Sequence, residues 1–385
     1  MFEKVSNFFC PTKVFFGQGI VTKLGKLIKS CNKQRVFLVT DQGIKKLSFF
    51  LKIINSLKEE NLECTVFSEV ETEPSIECVE KGAELARNIN AEIIVGIGGG
   101  SSLDAAKAIS ALCLARVPAI DYIQGLEVEK TLPVIAVPTT AGTGSELTIW
   151  AVLTNPDTKR KLSITSSKII PRIALEDPLL TLSLPSIITA YTGIDALCHA
   201  IESYVSINAH PISETLALKA VDLISHNLEN AVKNGECVSY RENMLWGSAL
   251  AGIAFGSTRT GMVHGMATPL GALFHLPHGM MNALLLPSVI KYNLEGNYFR
   301  FAQIMSIIKK EQVHYSEKEI AEELPRWLKH LIQEIGLPES LKEVGVKEKD
   351  VPLLAEEAME RETTYLGPRK PTLREIKEIY YSLLE

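Results

Sequence analysis

The sequence predicts an α/β fold in two parts: an N-terminal open parallel-sheet domain over residues 1–182 and an all-helical domain over residues 183–385. Three observations carry this. Short apolar runs alternate with helical periods through the first part, strand-like runs vanish after Leu184, and a glycine-rich turn joins the fourth apolar run to a helix. Strands that alternate with helices of about 10–15 residues imply parallel pairing with helices on both faces.

The elements follow in order. Residues 13–17, 35–40, 63–67, 92–97 and 132–137 read as strands, with helical periods at 44–59, 76–89 and 102–114 between them. Pro178 and Pro185 then bracket the change of period and mark the boundary. Helical spacing fills 186–205, 211–233, 240–255, 298–309, 316–335 and 372–384. No repeat or low-complexity linker separates the parts, so they are expected to pack directly, with the cleft between them as the default small-molecule site.

Composition narrows the function classes. Of 385 residues 46% are hydrophobic and 22% charged, which excludes wholesale disorder. The formal net charge of -5 gives no basic excess for nucleic acid or an anionic membrane. No apolar run approaches the roughly 20 residues of a bilayer span. The opening residues show no charged stretch followed by an apolar one, so no secretory signal is expected. The seven cysteines are odd in number, scattered and without a CxxC, which predicts reduced core thiols and a cytoplasmic location.

Gly98, Gly99, Gly100, Ser101 and Ser102 lie at a strand-to-helix junction. Glycine lets backbone approach a phosphate, and the helix N-terminus offers free N–H groups and a positive dipole end. The turn thus reads as a pyrophosphate loop of a nucleotide-binding sheet, against the plainer reading of a tight turn. It is neither a P-loop nor the G-x-G-x-x-G fingerprint, and it follows about three strands rather than one. Asp41 ends the second strand, where a carboxylate can accept from a ribose diol and repel a 2′-phosphate; a solvated turn residue is the alternative. A second polar loop, Pro138 to Glu146, follows the fifth strand and concentrates hydroxyl and backbone donors, as a nucleotide-contacting loop would; a plain Thr/Gly turn is the alternative.

Asp195 and His199 are four apart in a helical period and share a face, so they can hold one metal ion. His264, His275 and His278 fall close together downstream, in what reads as a broken helix with ligands at two of its turns. Imidazole with carboxylate suits Fe(II), Zn(II), Ni(II) or Mn(II). Any one histidine alone is more often a core or cap residue, and His210, His226, His314 and His330 are read that way.

The motifs Gly98 to Asp104, Pro138 to Glu146, Lys161 to Ile164, Asp177 to Thr181, Thr192 to Glu202, Val263 to Ala267 and Leu276 to Gly279 together resemble the iron-containing (group III) alcohol dehydrogenases over nearly the whole chain. The resemblance implies a dehydroquinate synthase-like architecture and hydride transfer between NAD(H) and a small alcohol or aldehyde. It implies a metal held by Asp195, His199, His264 and His278, with Fe(II) first and Zn(II) or another divalent ion as alternatives. It assigns the pyrophosphate to Gly98, Gly99, Gly100 and Ser101, with Asp104 just inside the helix. Other cofactor contacts fall on Thr139, Thr140, Thr143, Lys161, His278 and, for NAD preference, Asp41. It implies a small-molecule substrate, a homo-oligomer, and neither a nucleic acid nor a membrane as partner. Two positions depart from the family pattern: Thr268 stands where many members carry a second histidine near the substrate, and Gly367 precedes Pro368-Arg369 where many carry asparagine. Phe255, Trp150 and Phe274 are candidate pocket walls. The rival is an NAD- and metal-dependent sugar-phosphate lyase resembling dehydroquinate synthase. It would need a Lys/Arg cluster for an anionic substrate, and around His264–His278 the sequence offers only Arg259. A non-catalytic ligand-binding descendant is a third reading, suggested only by Thr268.

Overall fold

The structure, a computed structural model, describes residues 6–155, 160–310 and 316–384. His314 lies outside them. The chain divides into two compact units: Cys10–Ser183, and Leu184–Glu385 together with the N-terminal stretch to Phe9.

In the first unit the strands are β1 (Lys13–Phe16), β2 (Arg35–Val39), β3 (Glu63–Phe67), β4 (Ile93–Gly98), β5 (Val134–Pro138), β6 (Trp150–Thr154), β7 (Lys161–Thr165) and β8 (Ile173–Glu176). Among the described residues six of them form a parallel sheet in the order β1-β8-β5-β4-β2-β3. The central strands β4 and β5 are buried along their whole length, which explains why they read as continuous apolar runs. Alternate side chains feed two cores. Phe37, Val39 and Ile94 meet Val79, Ala105 and Ile109 of helices Ile76–Asn88 and Gly100–Leu112 on one face. Val36, Leu38, Ile93 and Val95 meet Leu24, Ile28, Ile53 and Leu57 of helices Leu24–Ser30 and Ser48–Glu59 on the other.

This topology locates a binding crevice. The helix after β2 covers one face and the helix after β4 the other, while β2 and β4 are neighbours in the sheet. Their connections diverge, making the topological switch point at which open α/β sheets bind ligands outside the carboxyl ends of the strands. Asp41 follows one of these strands and Gly98–Gly100 lie at the end of the other.

The sheet exceeds the expectation by one strand. β8 is four residues long and sits between prolines, too short to stand out as a periodic run. The antiparallel pair β6–β7 was likewise unforeseen. The expected helix at 44–59 splits into Gln42–Lys45, whose first turn Asp41 caps, and Ser48–Glu59.

Among its described residues the second unit contains helices and no strand. Helix Ser186–Val205 is buried on all sides from Gly193 to Val205, as expected of an element at the centre of a unit. Helices Pro211–Lys233 and Val238–Thr258 pack on it. The broken helix resolves into two, Met262–Phe274 and His278–Asn293. His275 turns the chain at φ 54, and Pro277 caps the start of the second. Gly279 brings that second helix against Ser186–Val205: a Cβ there would lie 2.0 Å from the Tyr191 carbonyl oxygen. Among the described residues no helix is long and apolar enough to cross a membrane.

Candidate functional site

Helix geometry places Asp195 and His199 one turn apart on the buried helix Ser186–Val205. His264 enters from the first turn of Met262–Phe274, and His278 is the first residue of His278–Asn293. Their donor atoms converge. Asp195 Oδ1 lies 3.4 Å from His264 Nε2, 3.6 Å from His278 Nε2 and 3.8 Å from His199 Nε2. Asp195, His199 and His264 are buried; the His278 side chain is 39% exposed and forms the open side. The rings of His199 and His264 stack at 4.6 Å, and Phe255 stacks on the far side of His199 at 4.3 Å.

The electrostatics favour a cation here. Burial alone would raise the Asp195 carboxyl, but the imidazoles of His199, His278 and His264 outweigh it and hold the group well below the usual carboxylate range. Burial would also strip a proton from His264, yet the Glu202 carboxylate beside it drives its pKa well up. Asp195 is thus an ionised carboxylate in a buried setting with three imidazole Nε2 atoms within 3.8 Å, a donor set that a divalent cation would fill. The mixed N/O donor set, without thiolate, fits such an ion.

A second cluster, Cys198, Glu202 and His264 through Nδ1, also brings ligand-type atoms together. It is already engaged. The Glu202 oxygens accept from the Gly261 and Val263 backbone N–H groups and from His264 Nδ1. Burial, reinforced by Glu202, pushes the Cys198 thiol to about 12, so it stays protonated.

The sequence singled out two nearby residues, neither expected as a ligand. His275 is exposed, beyond the helix end, and does not return to the ligand face. Thr268 donates its hydroxyl to the His264 carbonyl oxygen at 2.9 Å. Arg259 pairs with Glu362 at 2.5 Å, and Arg369 is tied to Tyr292, Glu295 and Glu375. His210 caps helix Pro211–Lys233, and His226 faces two backbone carbonyls; both are structural, as expected.

Two residues were passed over. Asn282 is fully buried; its Nδ2 donates to Asp195 Oδ1 at 2.7 Å and lies 3.2 Å and 3.3 Å from the Nε2 atoms of His264 and His278. Glu202 is the other. The helical spacing that paired Asp195 with His199 would have found both: Asn282 follows His278 by four, and Glu202 follows Asp195 by seven.

In the α/β unit the glycine turn is hemmed by the residues assigned to the cofactor. Gly98 sits at φ +146, and a Cβ there would lie 2.6 Å from Ser102 Oγ and 3.6 Å from Asp41 Oδ2. A Cβ on Gly99 would meet Thr140 at 3.4 Å, and one on Gly100 would meet Thr143 at 2.8 Å. Asp41 spends Oδ1 on the Ile44 N–H. The Thr139 hydroxyl oxygen is buried without a hydrogen-bond partner. Asp104, by contrast, faces inward: it accepts from Ser145 Oγ at 2.5 Å and the Val152 N–H at 3.0 Å, and pairs with buried Lys107 at 2.9 Å. It braces the second polar loop against the helix. Ser101 donates to the Thr72 carbonyl, and Lys161 pairs with Glu73 at 2.6 Å. Trp150 opens β6 and gives its carbonyl to Lys107, while Phe274 closes its helix.

Residues 11–178 match the family described as iron-containing alcohol dehydrogenase, and residues 189–384 its C-terminal part, the Fe-containing alcohol dehydrogenase family, C-terminal. The 1,3-propanediol dehydrogenase of Citrobacter freundii is 38% identical over 99% of both chains. The NAD-dependent methanol dehydrogenase of Bacillus methanolicus is 35% identical over 99% of this chain and 100% of that one. The crystal structure of a 1,3-propanediol oxidoreductase superposes with a TM-score of 0.96 at 36% identity, covering 99% of this chain and 100% of that one. An open parallel-sheet unit with a glycine cradle, a helical unit with a carboxylate–imidazole cluster, and similarity along the full length converge on one conclusion: the chain belongs to the iron-containing alcohol dehydrogenase family, NAD(H)- and divalent-metal-dependent oxidoreductases that interconvert alcohols and aldehydes.

Proposed function

We propose that this oxidoreductase acts on short alcohols, diols or hydroxyaldehydes, with Asp195, His199, His264 and His278 holding Fe(II) or, failing that, Zn(II) or another divalent ion. The convergence of three imidazole Nε2 atoms on Asp195 Oδ1 carries the reading. When bound, the metal supplies a Lewis acid for the substrate oxygen and the nicotinamide the hydride acceptor or donor. The chain's own residues do the rest. Asn282 holds Asp195 in place, and Phe255 packs on His199 to keep water from that side. We assign the cofactor to Gly98–Gly100 and Ser101, with Asp41 selecting NAD over NADP and Thr139, Thr140 and Thr143 lining the cradle. Lys161 and His278 are further contacts in this reading, and Asp104 serves it by bracing. With the Thr268 hydroxyl committed to a carbonyl, the substrate proton leaves without a titrating side chain at that position.

The substrate class is supported by the propanediol and methanol dehydrogenases among the relatives. The lyase reading loses its one cation near the cluster, since Arg259 is paired with Glu362. The cysteines, all free among the described residues, support a cytoplasmic location, and we take the working form to be a homo-oligomer. Protein loaded with Fe(II) and NAD⁺ should form NADH with methanol, ethanol or 1,3-propanediol only when metal is present. No NADH with any of them, alongside phosphate release from a sugar phosphate, would replace this reading with the lyase.

A further inference from the structure

The Glu202 carboxylate is buried and accepts three hydrogen bonds. Oε2 takes the Gly261 N–H at 2.7 Å and His264 Nδ1 at 2.6 Å; Oε1 takes the Val263 N–H at 2.6 Å. Two of these satisfy backbone donors at the start of helix Met262–Phe274, which otherwise have no acceptor within the helix. The third goes to the ring that follows. Gly261 permits this approach, since a Cβ there would lie 2.8 Å from Oε1.

We propose that Glu202 is the positioning residue of the metal centre, fixing both the tautomer and the aim of His264. This rests on the reading of Asp195, His199, His264 and His278 as the metal set. A carboxylate can only accept, so His264 must carry its proton on Nδ1 and turn Nε2 toward Asp195. Because the same carboxylate holds the backbone on either side of Met262, the ring cannot swing without uncapping the helix. Helix capping alone accounts for the Gly261 and Val263 contacts but leaves the short bond to His264 without a role. Such outer partners of a ligating histidine also raise its basicity, and their loss typically costs about 10–100-fold in metal affinity.

The test is metal release from the full-length holoenzyme. Wild type, Glu202→Gln and Glu202→Asp are loaded with Co(II), then challenged with excess chelator while the visible spectrum is followed. Glutamine keeps the size and one acceptor oxygen but offers an N–H where His264 needs an acceptor; aspartate keeps the charge and is one methylene short. Glu202→Gln should release metal about 10–100-fold faster and show a shifted Co(II) spectrum before release. Glu202→Asp should fall between it and wild type, and it carries the test alone if the glutamine variant does not fold. Leu324→Ala, in the buried face of helix Glu317–Glu334, is the stability control. It should lower the unfolding temperature and leave release unchanged. Release from the Glu202 variants at the wild-type rate overturns the inference, as does equal acceleration by Leu324→Ala. Wild type that binds no Co(II) would instead overturn the metal reading itself.

Discussion

The two candidate sites are built from opposite materials. In the α/β unit the glycine turn presents backbone, and its neighbours stand where a Cβ would go. In the helical unit side chains from three helices meet, and backbone only sets their roots. A backbone site is broken by adding atoms; a side-chain site is broken by removing them. The first can be damaged gradually, whereas the second loses a ligand at each step.

The sharpest way to break this contrast is at the histidines. His264→Ala or His278→Ala should abolish stoichiometric metal binding and turnover, and His264→Ala should leave NAD binding in place. Elemental analysis with a turnover assay checks it; full metal content at the normal rate would mean that the cluster is misread. Next in size is Gly98→Ala. At φ +146, with Ser102 2.6 Å from the new Cβ, the change costs about 1–3 kcal/mol of local strain, and NAD affinity should drop about 10-fold or more. Metal content should not change, and calorimetric titration with NAD⁺ reads the difference.

A smaller effect is expected at Asp41. Repulsion between its carboxylate and a 2′-phosphate is worth roughly 1–2 kcal/mol at an effective dielectric near 20 after screening. Asp41→Gly should therefore raise the NADP-to-NAD ratio of kcat/KM about 5- to 30-fold; a native enzyme that already favours NADP would contradict the assignment.

Below that comes the buried acid of the sheet. Burial, then the charge of Glu146, raises the Glu176 carboxyl well above its ordinary range, and burial raises Glu146 to about 7. The folded chain thus holds protons that the unfolded chain releases from about pH 4.5 upward, so stability falls as pH climbs from there toward 7. Glu176→Gln should lift the unfolding temperature by a few degrees at pH 8 and by less at pH 5; melting curves at the two values decide it.

The smallest effect is expected at His275. His275→Ala should keep most of the activity, and Thr268→His should stay active with an altered pH–rate profile. A loss of about 10²–10⁴-fold in His275→Ala, with metal retained, would show that this histidine relays the proton after all.

What was legible in the sequence follows from the same contrast. The expected strands all lie within a residue or two of those observed, because buried parallel strands are dense apolar runs and their neighbours are amphipathic helices. β8 was missed because it is only four residues long and pairs with strands distant in sequence, and the β6–β7 pair because its strands are short and partly exposed. At the carboxylate–imidazole cluster the recurring residue types and the family motifs pointed to the four residues proposed as ligands. Glu202 and Asn282 escaped because the helical spacing was applied only between the candidate ligands and not carried on from Asp195 to Glu202 or from His278 to Asn282. Asp104 lies in the cofactor motif, and its bonds run to Ser145, Val152 and Lys107, which only the folded chain brings together.

The most direct test of the account is anomalous diffraction at the iron edge from crystals grown with Fe(II) and NAD⁺. The account predicts one strong peak bonded to Asp195 and to the Nε2 atoms of His199, His264 and His278, with Glu202 still on His264 Nδ1. A peak among Cys198, Glu202 and His264 Nδ1, or none near Asp195 in protein that turns over alcohol, would contradict it.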